Sequence, residues 1–186
     1  SEDLFGLYFV DANTGFAVGR DGLILKTING GSNWTSIDGG TSNYFRGIYF
    51  VDVNTGWAVG KLGTIINTVD GGESWSDQTI LGFGFVDDLW DVFFIDTNTG
   101  WVVGNTDTIY KTIDGGSNWT SQATGTEYSF QGVYCIDSNI CMVTGIDIHA
   151  SNESIIFRTT DGGINWVLNY VGDGWLRGIC FHENTG

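Results

Sequence analysis

Residues 112–119 read TIDGGSNW. Near-copies stand at 27–34 (TINGGSNW), 68–75 (TVDGGESW) and 159–166 (TTDGGINW), at steps of 41, 44 and 47 residues. Each is a polar turn closed by an indole. The pattern T-x-[DN]-x-G-x-x-W gives every fixed position a folding role. Asn29, Asp70, Asp114 and Asp161 are suited to accept backbone N–H bonds within their own turns. Gly31, Gly72, Gly116 and Gly163 supply the positive φ that other residues resist. Thr27, Thr68, Thr112 and Thr159 bond back to the turn, while Trp34, Trp75, Trp119 and Trp166 cover it and pack toward a neighbouring unit. Four copies pointing outward around one molecule cannot converge on one active site. The word is therefore read as an architectural joint and not as a binding site.

A second word precedes each turn: YFVDANTGFAVG at 8–19, YFVDVNTGWAVG at 49–60 and FFIDTNTGWVVG at 93–104, decaying to YCIDSNICMVTG at 134–145. CFHENTG at 180–186 opens a fifth copy. The units span about 4–44, 45–88, 89–129 and 130–175, with a partial unit at 176–186. In the first, GLYFVD, GFAVG, LILKT and WTSI read as strands, and DANTG reads as a tight turn with Asn and Gly at positive φ. Length differences fall in the joints SDQTILGFGFVDDLW and GIDIHASNESIIF, as stacked supersecondary units allow. No segment sustains a 3.6-residue period, so helix is not expected. Four short strands per repeat predict an all-β fold: a β-propeller with four-stranded antiparallel blades, four complete repeats and the start of a fifth. The fifth unit breaks off inside a repeated turn. The expectation is a segment of a larger ring of about six to eight blades, or a terminal strand completed by a neighbouring copy in an oligomer or fibre.

Composition agrees. The 186 residues are 41% apolar, enough for a core. With 29 glycines, 27 aromatics (12 Phe, 8 Trp, 7 Tyr) and no proline, the chain suits short strands and tight turns. A net charge of −15 argues against nucleic acid and anionic membrane surfaces as partners. No apolar run approaches the ~18 residues of a membrane span. Cys135 and Cys141 flank IDSNI and lie within disulfide reach if the segment is a hairpin. The bond would place the protein in an oxidising compartment, outside the cell or at its surface; two small buried thiols are the alternative. Cys180 has no evident partner.

The octapeptide resembles the Asp-box repeat of sialidases, sortilin-like receptors and many secreted propellers. RGIYFVDVNTGWAVGKLGTI at 46–65, taken with the turn after it, is similar to propellers related to the photosystem II assembly and stability factor. Relatives of that family also occur as modules of secreted bacterial proteins. The resemblance covers essentially the whole chain and implies the fold; propellers host many functions.

A sialidase needs three arginines converging on a carboxylate, a Tyr nucleophile and acid–base carboxylates. This chain has four arginines in all: Arg20, Arg46, Arg158 and Arg177. Arg46 and Arg177 share one repeat position, occupied elsewhere by Phe5, Trp90 and Gln131. If the first strand is innermost, this column lines the central channel or its rim. The assembly-factor family binds partners through surface arginines. The resemblance therefore implies Arg46 and Arg177, with Trp90 and Gln131 beside them, as partner-binding candidates. The chain departs from that family in having Arg at two of five positions and an acidic balance. The alternative role for the guanidinium groups is pairing with aspartates such as Asp91.

His149 and His182 are isolated, without zinc spacing. Asp87, Asp88, Asp91 and Asp107 could offer oxygens to calcium, but without EF-hand spacing, and solvated acidic loops are the plainer reading. Asn33, Asn118 and Asn152 begin N-x-[ST] sequons. No nucleophilic triad or phosphate loop stands out, and no cofactor is expected. The function expected is a non-enzymatic extracellular or surface propeller that binds a protein partner, scaffolds or self-associates. A glycan-binding or glycoside-hydrolysing propeller of sialidase type and a photosystem assembly-like factor are the alternatives.

Overall fold

The computed structural model describes residues 3–80, 88–122, 124–147, 153–174, 176 and 178. These form four sheets, each of four antiparallel strands joined in sequence order. Blade 1 is β1 (Leu4–Phe9), β2 (Gly15–Gly19), β3 (Leu23–Thr27) and β4 (Thr35–Asp38). Blade 2 is β5 (Phe45–Phe50), β6 (Gly56–Gly60), β7 (Ile65–Thr68) and β8 (Ser76–Asp77). Blade 3 is β9 (Leu89–Phe94), β10 (Gly100–Gly104), β11 (Ile109–Thr112) and β12 (Thr120–Ser121). Blade 4 is β13 (Ser129–Cys135), β14 (Cys141–Ile146), β15 (Glu153–Thr159) and β16 (Val167–Asp173). The first strands of successive blades pack side by side, β1 on β5, β5 on β9 and β9 on β13. The result is a partial propeller. The fifth-unit strand expected around WLRGICF falls largely on residues outside those described. None of the described helices is long and apolar enough to cross a membrane.

The core lies between the blades. Phe16, Val18 and Ile24 of blade 1 meet Phe45, Ile48, Phe50 and Ala58 of blade 2. Trp57, Val59 and Ile65 meet Leu89, Val92, Phe94 and Val102 at the next joint. Trp101, Val103 and Ile109 meet Phe130, Val133, Val143 and Phe157 at the third. Every second strand is thus covered on both faces. That is why GFAVG, GWAVG and GWVVG carry apolar residues without polar alternation.

The D-x-N-T-G turn does not use positive φ as expected. The left-handed residues fall in the following turn instead, at Asp21, Gly22, Leu62, Gly63, Thr106 and Asp107. In D-x-N-T-G the aspartate carboxylate does the turning: Asp52 Oδ1 accepts the N–H groups of Asn54 (2.7 Å) and Thr55 (2.8 Å). The glycine is needed because the ring of the residue opposite lies on it. A Cβ on Gly100 would sit 2.5 Å from Phe94.

The octapeptide turns are hydrogen-bonded internally, and those of blades 3 and 4 are also bonded to the preceding blade. Thr112 Oγ1 donates to Asp114 Oδ1 (2.9 Å) and accepts the Gly116 N–H (2.9 Å). Asp114 Oδ1 accepts the Asn118 N–H at 2.8 Å. The glycine before each fixed one is also left-handed, and Gly115 N–H donates to Asn98 O, joining the two turns of the blade. Trp119 stands edge-on to Phe94. From the preceding blade, Gln78 Nε2 donates to Gly115 O at 3.0 Å, and Gln122 Nε2 does the same to Gly162 O. The turn is therefore where one blade holds the next by its backbone.

Candidate functional site

The first strands present their inner edges to a shared cleft of about 410 Å³, lined by Phe5, Arg46, Trp90, Asp91 and Gln131 among others. One repeat position thus supplies four of its walls. The fifth residue of the column, Arg177, lies outside the described residues.

Arg46 is the centre of this cleft. Its guanidinium stacks on Trp90, 3.9 Å from the ring centroid, and lies over the ring of Phe5 at 5.7 Å. Stacking over an aromatic face leaves the in-plane donors clear of the ring, and of these Nε is buried without a partner among the described residues. One donor is engaged: Nη2 meets Asp88 Oδ2 at 3.2 Å. Arg46 thus pairs with an aspartate, as in the alternative reading, but with Asp88 and not with Asp91. Asp88 stands just before β9, and its Oδ1 accepts the N–H of Leu62, so it ties Arg46 to the left-handed turn of blade 2. Trp90 is fixed from its other edge, where Nε1 donates to Asn105 Oδ1 at 2.7 Å.

Asp91 works differently. Oδ2 accepts the Val133 N–H of blade 4 and Oδ1 accepts its neighbour Val92 N–H, both at 2.9 Å. It is a strap between β9 and β13. Although the residue keeps some accessible surface, burial raises its pKa to about 6 against the lowering by those two bonds. Desolvation wins because two amide donors and no cation face the carboxylate.

The aspartates considered for calcium are used on donors. Asp88 and Asp91 bond as above, and Asp107 accepts from Thr124, Gly125 and Thr126. Asp87, His149 and His182 lie outside the described residues, and no group of three metal-type ligands occurs among those described. Cys135 and Cys141 are joined as a disulfide; Cys180 lies outside the described residues.

Sequence reasoning assigned Asp88 no part in holding Arg46. A signal was present: Asp3 before β1 and Asp88 before β9 stand at the same repeat position, and Asp3 pairs with Arg20 at 3.0 Å.

Sheet order, inter-blade cores and repeated turns define a BNR-like β-propeller. Residues 79–169 match the family model of the photosynthesis system II assembly factor YCF48. The solved structure of YCF48 bound to a D1 peptide is similar at a TM-score of 0.64 and 16% identity, over 90% of this chain and 80% of that one. YCF48 from Cyanidioschyzon merolae gives 0.72 and 21%, over 98% of this chain and 61% of its own. An ancestral GH74 enzyme gives 0.72 and 18%, over 89% of this chain and 25% of its own. A search of curated proteins found no match. The chain is thus a BNR-like propeller related to the photosystem II assembly factor, and it spans about three fifths of the Cyanidioschyzon protein.

Proposed function

We propose that the chain is a non-enzymatic protein-interaction module that takes a segment of its partner in the cleft around Arg46. The observation that carries this reading is the Arg46 guanidinium stacked on Trp90 with Phe5 beside it in that cleft. Arginine and tryptophan are the residues that most often dominate protein interfaces, because they combine broad apolar faces with directed donors. Here both are held before a partner arrives, which lowers the entropy lost on binding. The fork's remaining donors suit a backbone carbonyl or a carboxylate of an extended segment. The likeness to a YCF48 structure with a bound peptide supports the same use of the fold. The disulfide supports an oxidising compartment, and with it an extracellular or surface location. Most glycoside hydrolases use two carboxyl groups facing each other across the scissile bond, and sialidases use a tyrosine nucleophile among three arginines. Asp91 lines this cleft with both oxygens already receiving N–H donors, which favours binding over hydrolysis.

The test is a peptide array of random 15-mers, read with the wild-type chain and with Arg46→Ala and Trp90→Ala. Selected peptides should bind each variant at least about tenfold more weakly, roughly 1.4 kcal/mol. Equal binding by all three proteins, or turnover of synthetic glycosides, refutes the reading.

A further inference from the structure

Each blade breaks its first hairpin ladder at the same place. Leu4 pairs with Gly19 and Gly6 with Val18, so Phe5 is left out of the pairing. Arg46 is skipped between Phe45 and Gly47, Trp90 between Leu89 and Asp91, and Gln131 between Phe130 and Gly132. The residues that one repeat position sends to the cleft are thus the extra residues of four β-bulges. A bulge leaves one residue unpaired and re-aims its side chain.

The core explains why the bulge is there. Side chains on a regular strand return to one face at every second residue. Phe45 and Ile48 are three apart, yet both enter the core between blades 1 and 2. Leu89 with Val92, and Phe130 with Val133, do the same at the next two joints. Skipping one residue brings each pair onto one face. Packing therefore restricts the position before the bulge to Phe or Leu in these blades, while the skipped position holds Arg, Trp or Gln. The bulge backbone is held in place as well. A Cβ on Gly6 would lie 2.8 Å from Arg46 O, and one on Gly47 3.0 Å from Trp90 O. Each of these bulge carbonyls rests on the glycine that follows the bulge of the preceding blade. Asp91 stands where that glycine stands in the other blades, and its carboxylate reaches the Val133 N–H of blade 4 instead. Gln131 lines the cleft, and its side chain makes no hydrogen bond among the described residues.

Resting on the cleft reading above, we propose that the bulged residue of each blade is its specificity position, and that an extended partner segment crosses the blades in order and meets one such residue from each. The Arg46 guanidinium lies 3.9 Å from the Trp90 ring centroid and 5.7 Å from that of Phe5. Those spacings span one to two residues of extended chain, at about 3.3 Å per residue. Phe5 and Trp90 take apolar side chains. Gln131 takes a residue with an amide or hydroxyl, because its own amide both donates and accepts and covering it with an apolar group leaves it unsatisfied. The backbone frame is common to the blades, so the chemistry read by each is set by one side chain.

Random 15-mer arrays read with the wild type, Gln131→Arg, Gln131→Glu and Ser121→Arg test this. Ser121 is exposed on β12, the outer strand of blade 3, so Ser121→Arg adds the same charge away from the cleft. Gln131→Arg should raise the preference for Asp or Glu at a single peptide position at least about tenfold, through a charge-assisted bond. Gln131→Glu should raise the preference for Lys or Arg at that same position. Ser121→Arg should shift no single position. All three variants should melt with the wild type, since a bulged side chain lies outside the ladder. Peptides that need Arg46 and Trp90 but whose preferences ignore Gln131, or change alike at many positions, overturn this proposal and leave the cleft reading standing. Binding indifferent to Arg46 and Trp90 refutes both. Unfolding of both Gln131 variants overturns the claim that packing leaves the bulged residue free.

Discussion

Cys135 and Cys141 face each other across the first hairpin of blade 4, at the register where Phe94 lies on Gly100 in blade 3. The two arrangements exclude one another. A ring on the opposite strand requires bare backbone beneath it, and a disulfide requires a Cβ on both residues. Phe9 over Gly15 and Phe50 over Gly56 repeat the ring solution.

The double change Cys135→Ala/Cys141→Ala should therefore lower stability by about 2 kcal/mol, from the cross-link and the volume lost. Cys135→Phe/Cys141→Gly should regain most of that loss by restoring the solution used in the other blades. Urea unfolding measures both. A Phe/Gly protein no more stable than the Ala/Ala protein would show that the positions are not equivalent.

Thr112 is 1% exposed, and its hydroxyl serves both Gly116 N–H and Asp114. Thr112→Val keeps the shape and leaves a buried N–H without its acceptor. The expected loss is about 1–3 kcal/mol, with peptide binding in the cleft unchanged. A variant of normal stability that has lost its ligand would contradict the structural role given to the turn.

Acid should act in two opposite ways. Asp70 and Asp161 are held at about 2, the first chiefly by the Ser74 hydroxyl and the second by the Asn165 N–H. Their folded values lie below the ordinary 3.8, so their contribution is complete above about pH 4 and is lost as pH falls through 2. Asp91, raised to about 6, works the other way: the folded state loses stability relative to the unfolded as pH rises from 3.8 through 6. Asp91→Asn removes that pH dependence but leaves one of the two N–H groups without its acceptor, so the fall in melting temperature should be smaller at pH 8 than at pH 4. An equal fall at both pH values would mean that the carboxyl does not titrate between them.

Leu62 is half-exposed and left-handed, with φ of 57°. A side chain with a Cβ pays roughly 1–2 kcal/mol in this region. Leu62→Gly removes that strain but loosens the unfolded chain, so a net gain of up to about 1 kcal/mol is expected. Destabilisation would indicate that the leucine side chain makes a contact worth more than the strain.

The blades were legible because their signals are local and repeated: strand length, turn residues and apolar runs recur in each unit. The left-handed turn residues were misplaced because Asp52 Oδ1 and a positive-φ glycine produce the same sequence, D-x-N-T-G. The column of Phe5, Arg46, Trp90 and Gln131 was also legible, since a repeat carries equivalent positions to equivalent places. The choice of Asp88 over Asp91 as the partner of Arg46 was not. It depends on side-chain reach across a joint between blades, and both aspartates lie within three residues of each other in sequence.

Hydrogen exchange with and without a saturating array-selected peptide tests the central claim most directly. Binding in the cleft should slow exchange in β5, β9 and β13, around Arg46, Trp90 and Gln131, and Arg46→Ala should abolish the change. Protection centred instead on the octapeptide turns at 27–34, 68–75, 112–119 and 159–166, with the first strands unaffected, would contradict it.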